Sequence, residues 1–395
     1  MNWDQMRKTD DNRGNVYIAR YQRIFTPSLL NELNVGVGRR QRGDVIAGEE
    51  LRRNQRAAWG YKLGQFDPSL NPLDLIPNAT FGGVTGAANL VLNVSSPALG
   101  TYYSLTLTDS ATKTFPGHTV KAGFYTDRVW TGGGRSVING AFDFSRNANN
   151  PLDTGYAYGN AILGVFNSYS EASASPEGGT RQTNLEWFVQ DNWKVSRSLT
   201  LDLGMRFALI YPAREKHNNL SGFAPERFDP AKAVRLIRPA RVGNARVGVH
   251  PVTGQTYPSV LIGAIAPGTG DPDNGTVVPA RDSSYPAALM DNRGVHLQPR
   301  FGFAWDPFGR NKTAVRGGFG WFHNRTGTSY VLSPYASQPP LVRTPLSYFG
   351  RMPALLSSAG FLFPSGSMGL DRAGKVPSSM NFSFSIQQDV GFGTV

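Results

Sequence analysis

Cysteine is absent from this chain of 395 residues. There is therefore no disulfide framework, no thiolate metal site and no cysteine nucleophile. Long apolar runs are missing as well. No segment approaches 18 consecutive apolar residues, which excludes transmembrane helices. Acidic side chains are few beside basic ones, 28 against 40, leaving a formal net charge of +12. A basic balance can serve nucleic acid, an acidic surface or an anionic ligand. Here the arginines are scattered, with local clusters at Arg39–Arg42 and Arg52–Arg56. No basic helix or aromatic RNA-binding motif accompanies them, so nucleic acid is not an expected partner.

Recognisable chemistry is also scarce. The five histidines (His118, His217, His250, His296 and His323) lie far apart, and none has metal-ligand spacing. The acidic DPDNG at 271–275 lacks the downstream bidentate Glu of a calcium loop and reads as a turn. The RGGFG at 316–320 is not followed by a helix, so it is no phosphate cradle. No GxSxG and no paired-carboxylate signature is present. No enzymatic activity, cofactor or metal is expected. The first residues, MNWDQMRKTDDNRGN, lack the apolar segment of a signal peptide. For an envelope protein this sets the expectation of a fragment taken from a longer chain.

What is abundant is glycine (45), proline (27) and aromatic residues (11%), the profile of a turn-rich all-β protein. The mean hydropathy of -0.31 is compatible with a membrane barrel, because only alternate strand residues face lipid and loops dilute the signal. The strongest alternation runs from Asn184 to Tyr211. Leu199, Leu201, Leu203, Met205, Phe207 and Leu209 alternate with Thr200, Asp202, Gly204, Arg206 and Ala208. Successive strand side chains point to opposite faces, so one face is apolar and the other wet. Leu185, Trp187, Val189, Trp193 and Val195 form a matching apolar face, broken by Asp191. Ser196–Arg197–Ser198 is short enough for a hairpin turn. Strands of ten residues or more exceed the soluble mode of about 5–6, and tilted strands of about 9–11 suit a bilayer. Trp187, Trp193 and Tyr211 are placed near strand ends, as in an interfacial aromatic girdle. The same alternation also fits a sandwich strand with one face in a core.

Other segments repeat the design. Gly14–Phe25 and Leu30–Arg40 are predicted to pair around Thr26–Pro27–Ser28. Gln41 to Pro116 reads as a long irregular stretch with a short strand at Thr101–Thr108. His118–Trp130 and Arg135–Arg146 are predicted to form a hairpin around a TGGGR loop needing positive φ. The apolar AILGVF at 161–166 is ambiguous. His296–Asp306 and Lys312–His323 form the next hairpin, and Ser379–Gln388 is a lone alternating strand before a turn at the end of the chain. Long loops fall at every second connection, whereas sandwiches do not confine them so.

Four segments resemble the barrel region of TonB-dependent outer-membrane receptors, in particular the Oar-like branch with a carboxypeptidase-regulatory-like N-terminal domain. They are FTPSLLNELNVGVGRR, EWFVQDNWKVSRSLTLDLGMRF, LQPRFGFAWDPFGRNKTAVRGGFGWFHNR and VPSSMNFSFSIQQDVGFGTV. The resemblance implies an all-β, antiparallel transmembrane barrel in the outer membrane of a Gram-negative cell, with long extracellular loops. It implies uptake of a large ligand, its identity unknown, driven by the TonB complex through an N-terminal region not seen here. No plug and no closing aromatic strand are visible. The roughly nine to eleven strands counted are about half of the 22 of a plugged transporter. The whole of 1–395 is then one partial barrel.

On this reading the lumen-facing candidates are Glu186, Lys194, Asp202, Arg206, Arg300, Asp306 and Arg316. The candidates facing outer-membrane lipid are Trp187, Leu201, Leu203, Met205, Phe207, Phe303, Trp305, Phe319, Trp321, Phe382 and Phe384. Two alternatives remain: a secreted all-β carbohydrate-binding protein or hydrolase, and a plain diffusion porin. What lies opposite the apolar face separates the first of these from a barrel.

Overall fold

A computed structural model describes residues 6–46, 48–92, 100–133, 136–325, 333–357 and 360–391. Nine long strands follow one another as an antiparallel meander: β1 (Lys8–Thr26), β2 (Leu29–Ile46), β3 (Gly100–Phe115), β4 (His118–Gly132), β5 (Thr180–Lys194), β6 (Leu199–Ile210), β7 (Val295–Trp305), β8 (Thr313–His323) and β9 (Ser378–Gln388). A two-residue strand, Arg214–Glu215, pairs beside β5 off this path. The sheet is open, with β1 at one edge and β9 at the other. The connections β1–β2, β3–β4, β5–β6 and β7–β8 are short turns, all at one end. The intervening connections, L1 (47–99), L2 (133–179), L3 (211–294) and L4 (324–377), are long and all at the other end.

Several strand bounds differ from the sequence expectation: β2 continues past Arg40 to Ile46, and two further assignments change more. β3 runs for 16 residues, not for a short Thr101–Thr108 piece, and meets β4 at a Pro116–Gly117 turn where Gly117 takes φ 78°. Arg135–Arg146 is not the hairpin partner of β4, which is flanked by β3 and β5. Only Ala141–Asp143 of that stretch is a strand, and it belongs to a separate loop sheet. Its Phe142 and the neighbouring Phe144 are buried there, so their alternation reports a small core of its own. Gly134 and Arg135, within the TGGGR loop, and 392–395 lie outside the described residues. The ambiguous 161–166 stretch divides between a helix, Ala157–Ile162, and a strand, Val165–Ser170.

The burial is inverted relative to a soluble sheet. Of the buried apolar residues among those described, only Ala208 and Ile210 come from the nine strands, and both lie on the polar-face parity of β6. The apolar faces stay open: Leu203 is 39% exposed, Phe301 45% and Phe382 85%. Among the described residues no second sheet covers them, as a sandwich would require. The described cores are instead in the loops. Ala79, Phe142, Phe144, Phe166, Tyr169 and Leu355 form one cluster from L1, L2 and L4, while Leu220, Val277, Leu289 and Tyr335 belong to another from L3 and L4. A four-stranded loop sheet, in the order Leu346–Arg351, Val165–Ser170, Ala141–Asp143, Asn78–Thr80, ties three of the long connections together.

The apolar band also slides along the sheet. On β2 it centres on Val35, whose cross-strand row continues through Leu107, Thr126, Leu185, Leu209 and Val295. On β8 and β9 it centres on Phe319 and Phe382. Their row runs back through Phe301, Leu203, Asp191, Val120 and Lys113 to Leu29. The shift from Val35 to Leu29 is six residues over seven strand steps. That is about 20 Å along the strands for about 34 Å across them, a tilt of roughly 30°. A level band of lipid cutting obliquely across tilted strands produces such a drift; a flat core-facing sheet has no reason to.

Candidate functional site

Alternation along each strand gathers polar side chains on the face opposite the apolar band. Six of the seven charged residues expected there lie on it: Glu186 and Lys194 from β5, Asp202 and Arg206 from β6, Arg300 from β7 and Arg316 from β8. The register makes them a group. Glu186 and Arg206 form an ion pair at 2.6 Å. The Arg206 guanidinium also lies over the Phe188 ring at 5.2 Å, and that of Arg300 over Phe322 at 4.9 Å. Arg300 sits opposite Gly204 on one side and Gly320 on the other, so small neighbours leave room for its long side chain. The Asn192 amide donates to Asp202, and Arg316 donates to the Gln387 amide oxygen at 2.8 Å. Lys194 stands at the turn end of β5, away from the Glu186–Arg206 pair.

Asp306 has a different setting. It follows β7 in the short turn and accepts from the backbone N–H groups of Phe308, Gly309 and Asn311, so it shapes that turn. The eleven apolar candidates share the opposite face, but Trp187 is not near a strand end. It is the central residue of β5, stacked on Phe207 with ring centres 5.7 Å apart, because β5 begins at Thr180 and not at Asn184. Trp193, at the turn end, stacks on His118, which holds Asp191 at 2.7 Å on the same apolar face.

Two further polar-face groups escaped the sequence reading. Lys121 of β4 approaches Glu32 of β2 at 3.4 Å. Asp127 of β4 is only 3% exposed and pairs with Arg325 of L4. Parity along His118–Gly132 places Asp127 beside Lys121 on the polar face, so its side was readable. Its partner, 198 residues away, was not.

The loop assembly above this face is built as firmly as a soluble core. Glu171, at 3% exposure, accepts from the backbone N–H groups of Phe66 and Asp67 at 2.8 Å each, from the Gln65 amide and from the Tyr169 hydroxyl. It thereby clamps L1 to L2. Burial, reinforced by its bond to Glu171, pushes the Tyr169 hydroxyl far above the ordinary tyrosine range. Burial likewise raises Tyr61 to about 12, partly offset by Arg56, whose guanidinium lies over its ring. Lys216 reaches Glu177 from L3 to L2, and Arg343 of L4 pairs with Asp273 of L3. Where the loops meet the polar ends of β2–β5, a cavity of about 510 Å³ is lined by Arg42, Tyr102, Thr131 and Ser175, among many small residues. Its Glu215 is occupied, accepting from the backbone of His217 and Asn219. Among the described residues no group of three or more His, Cys, Asp or Glu could hold a metal ion.

The outer membrane transporter YddB from Escherichia coli is a similar solved structure. It shares 10% identity at a TM-score of 0.45, over 99% of this chain and 34% of that one. The present chain thus spans about a third of that transporter's length. No curated protein matches. The model of the outer membrane beta barrel domain matches residues 2–395. An open band of apolar side chains, a polar opposite face and a whole-length family match agree: this chain belongs to the outer membrane β-barrel domain family and resides in the outer membrane.

Proposed function

We propose that the nine strands form part of the wall of a larger TonB-dependent transporter barrel, whose polar face lines the lumen and whose loops receive a large ligand from outside. The observation that carries this reading is the loop assembly. All four long connections lie at one end and contribute to shared buried cores, and L2, L3 and L4 enclose a cavity of about 510 Å³ against the polar ends of β2–β5. A diffusion pore needs an open mouth, whereas a receptor needs a shaped one. Glu186, Arg206, Arg300 and Arg316 then contact water, a plug or the passing ligand, and energy enters through the TonB complex. The Oar-like segments quoted above support the same assignment. Transport of this kind makes and breaks no bonds, and no cofactor is required.

The test uses the full-length gene product. Purified in detergent, it is expected to bind the periplasmic C-terminal domain of TonB and to give no steady conductance in a planar bilayer. A large open conductance with no TonB binding would favour the porin instead.

A further inference from the structure

Above the apolar band, at the long-loop end of β2–β5, the outward face carries a basic and aromatic patch that transport does not use. One cross-strand row there reads Arg39, Tyr103, Trp130, Arg181 and Arg214. Arg128, two residues before Trp130 on β4, lies in the adjacent row on the same face. Tyr103 and Trp130 stack at 5.3 Å, and the Arg39 guanidinium lies 6.0 Å from the Tyr103 ring centre. The four arginines are all exposed. Among the described residues none of them has an acidic partner, whereas on the polar face Arg206 pairs with Glu186, Arg42 with Asp10, and Arg20, Arg40 and Arg316 donate to side-chain amides. Most telling, Arg181 and Arg214 stand directly opposite each other. Like charges in directly opposed positions destabilise a sheet unless an anion lies between them.

From this geometry we infer a binding site for the phosphate groups of the phosphorylated diglucosamine lipid that fills the outer leaflet. Long loops mark the extracellular end of such barrels, so this row lies at the height of outer-leaflet headgroups. The occupant is argued from charge complementarity: planar guanidinium groups bind phosphate oxygens bidentately, and the Tyr103–Trp130 stack offers an apolar platform at the headgroup boundary. The inference rests on the outer-membrane location and is independent of TonB. Arg181 and Arg214 clamp one phosphate between them, while Arg128 and Arg39 reach toward a second beside the aromatic pair.

The test is native mass spectrometry of the full-length protein extracted in detergent. The added probe is the bisphosphorylated lipid or its enzymatically dephosphorylated form. The phosphorylated lipid is expected to bind about ten-fold more tightly, and a variant carrying Arg128→Gln, Arg181→Gln and Arg214→Gln is expected to lose that preference. Arg316→Gln, the same charge change on the polar face, should leave it intact. Should the triple variant fail to fold, Arg181→Gln alone relieves the opposed pair, is expected to fold, and should lose about three-fold of the preference. Equal binding of the two lipids, or an undiminished preference in the folded variants, would overturn the site.

Discussion

Asp202 and Leu203 are neighbours in the chain and opposites in environment: one accepts from Asn192 on the polar face, the other is 39% exposed on the apolar face. Placing a guanidinium on the apolar side near the bilayer midplane costs about 2–4 kcal/mol of insertion. Leu203→Arg is therefore expected to impair folding into lipid vesicles by that amount, and Asp202→Asn by much less. Equal losses would mean that the faces are reversed. Side-chain parity was readable from residues alone, because a period of two needs no tertiary information. Individual settings were not. Asp306 shares the charge and parity of a lumen residue, yet three turn N–H groups claim it. Trp187 looked terminal only because Thr180–Thr183, polar and short, concealed the first turn-distal part of β5.

Among elements, three of the four hairpins with short turns were legible; the β3–β4 hairpin and the long connections were not. β3 was cut short in the sequence reading for a physical reason. Beyond Leu107 its apolar-face positions are Asp109, Ala111 and Lys113, which break the alternation. The sliding of the apolar band explains this. On β3 the band sits toward the loop end, so the turn-ward half of the strand has less need of apolar residues. Close packing between β4 and β5 gives an element-scale prediction. A Cβ on Gly123 would stand 2.7 Å from the Asp109 carbonyl and 2.8 Å from the Phe188 ring. The carbonyl is held in the ladder, so Gly123→Ala is expected to lower stability by about 1–3 kcal/mol, read from denaturant unfolding in lipid vesicles. In the loops, the Glu171 clamp makes a second. Tyr169→Phe removes one donor from a buried carboxylate and should loosen the L1–L2 junction by about 1–3 kcal/mol, visible as faster proteolysis of both loops. Loop architecture of this kind depends on partners about 105 residues apart, such as Phe66 and Glu171, which no local pattern encodes.

The same junction sets a pH dependence. Tyr61 and Tyr169 hold folded-state pKa values above the unfolded value of 10. Such groups favour the folded loops fully below pH 10. That contribution is lost as pH rises, since the unfolded chain releases their protons first. The loop assembly is expected to weaken from pH 10 upward, through the Tyr61 value of about 12. Tyrosinate absorbance should show a late-ionising fraction in the folded protein that Tyr169→Phe reduces. A single ionisation step near pH 10 with the loops still protease-resistant would contradict the buried setting.

At the scale of the whole molecule, the sheet keeps its greasy face outward and the loops keep theirs inward, which is the arrangement a bilayer selects. The fold class and location followed from alternation and from the spacing of long connections. The loop cores, the cavity and the cross-strand arginine row required the three-dimensional register. No cysteine stands in these 395 residues, so thiols introduced into the sheet report the central claim directly once any cysteine elsewhere in the full-length protein is replaced. Single cysteines introduced in turn at Leu201, Asp202, Leu203, Gly204 and Met205 of the full-length protein in vesicles can be probed with a water-soluble maleimide and with spin-labelled lipid. Positions 201, 203 and 205 are expected to resist the maleimide and to feel the lipid label, while 202 and 204 react from water and do not sense lipid. Uniform reactivity along β6, or the opposite phase, would contradict a sheet that meets the membrane with this face.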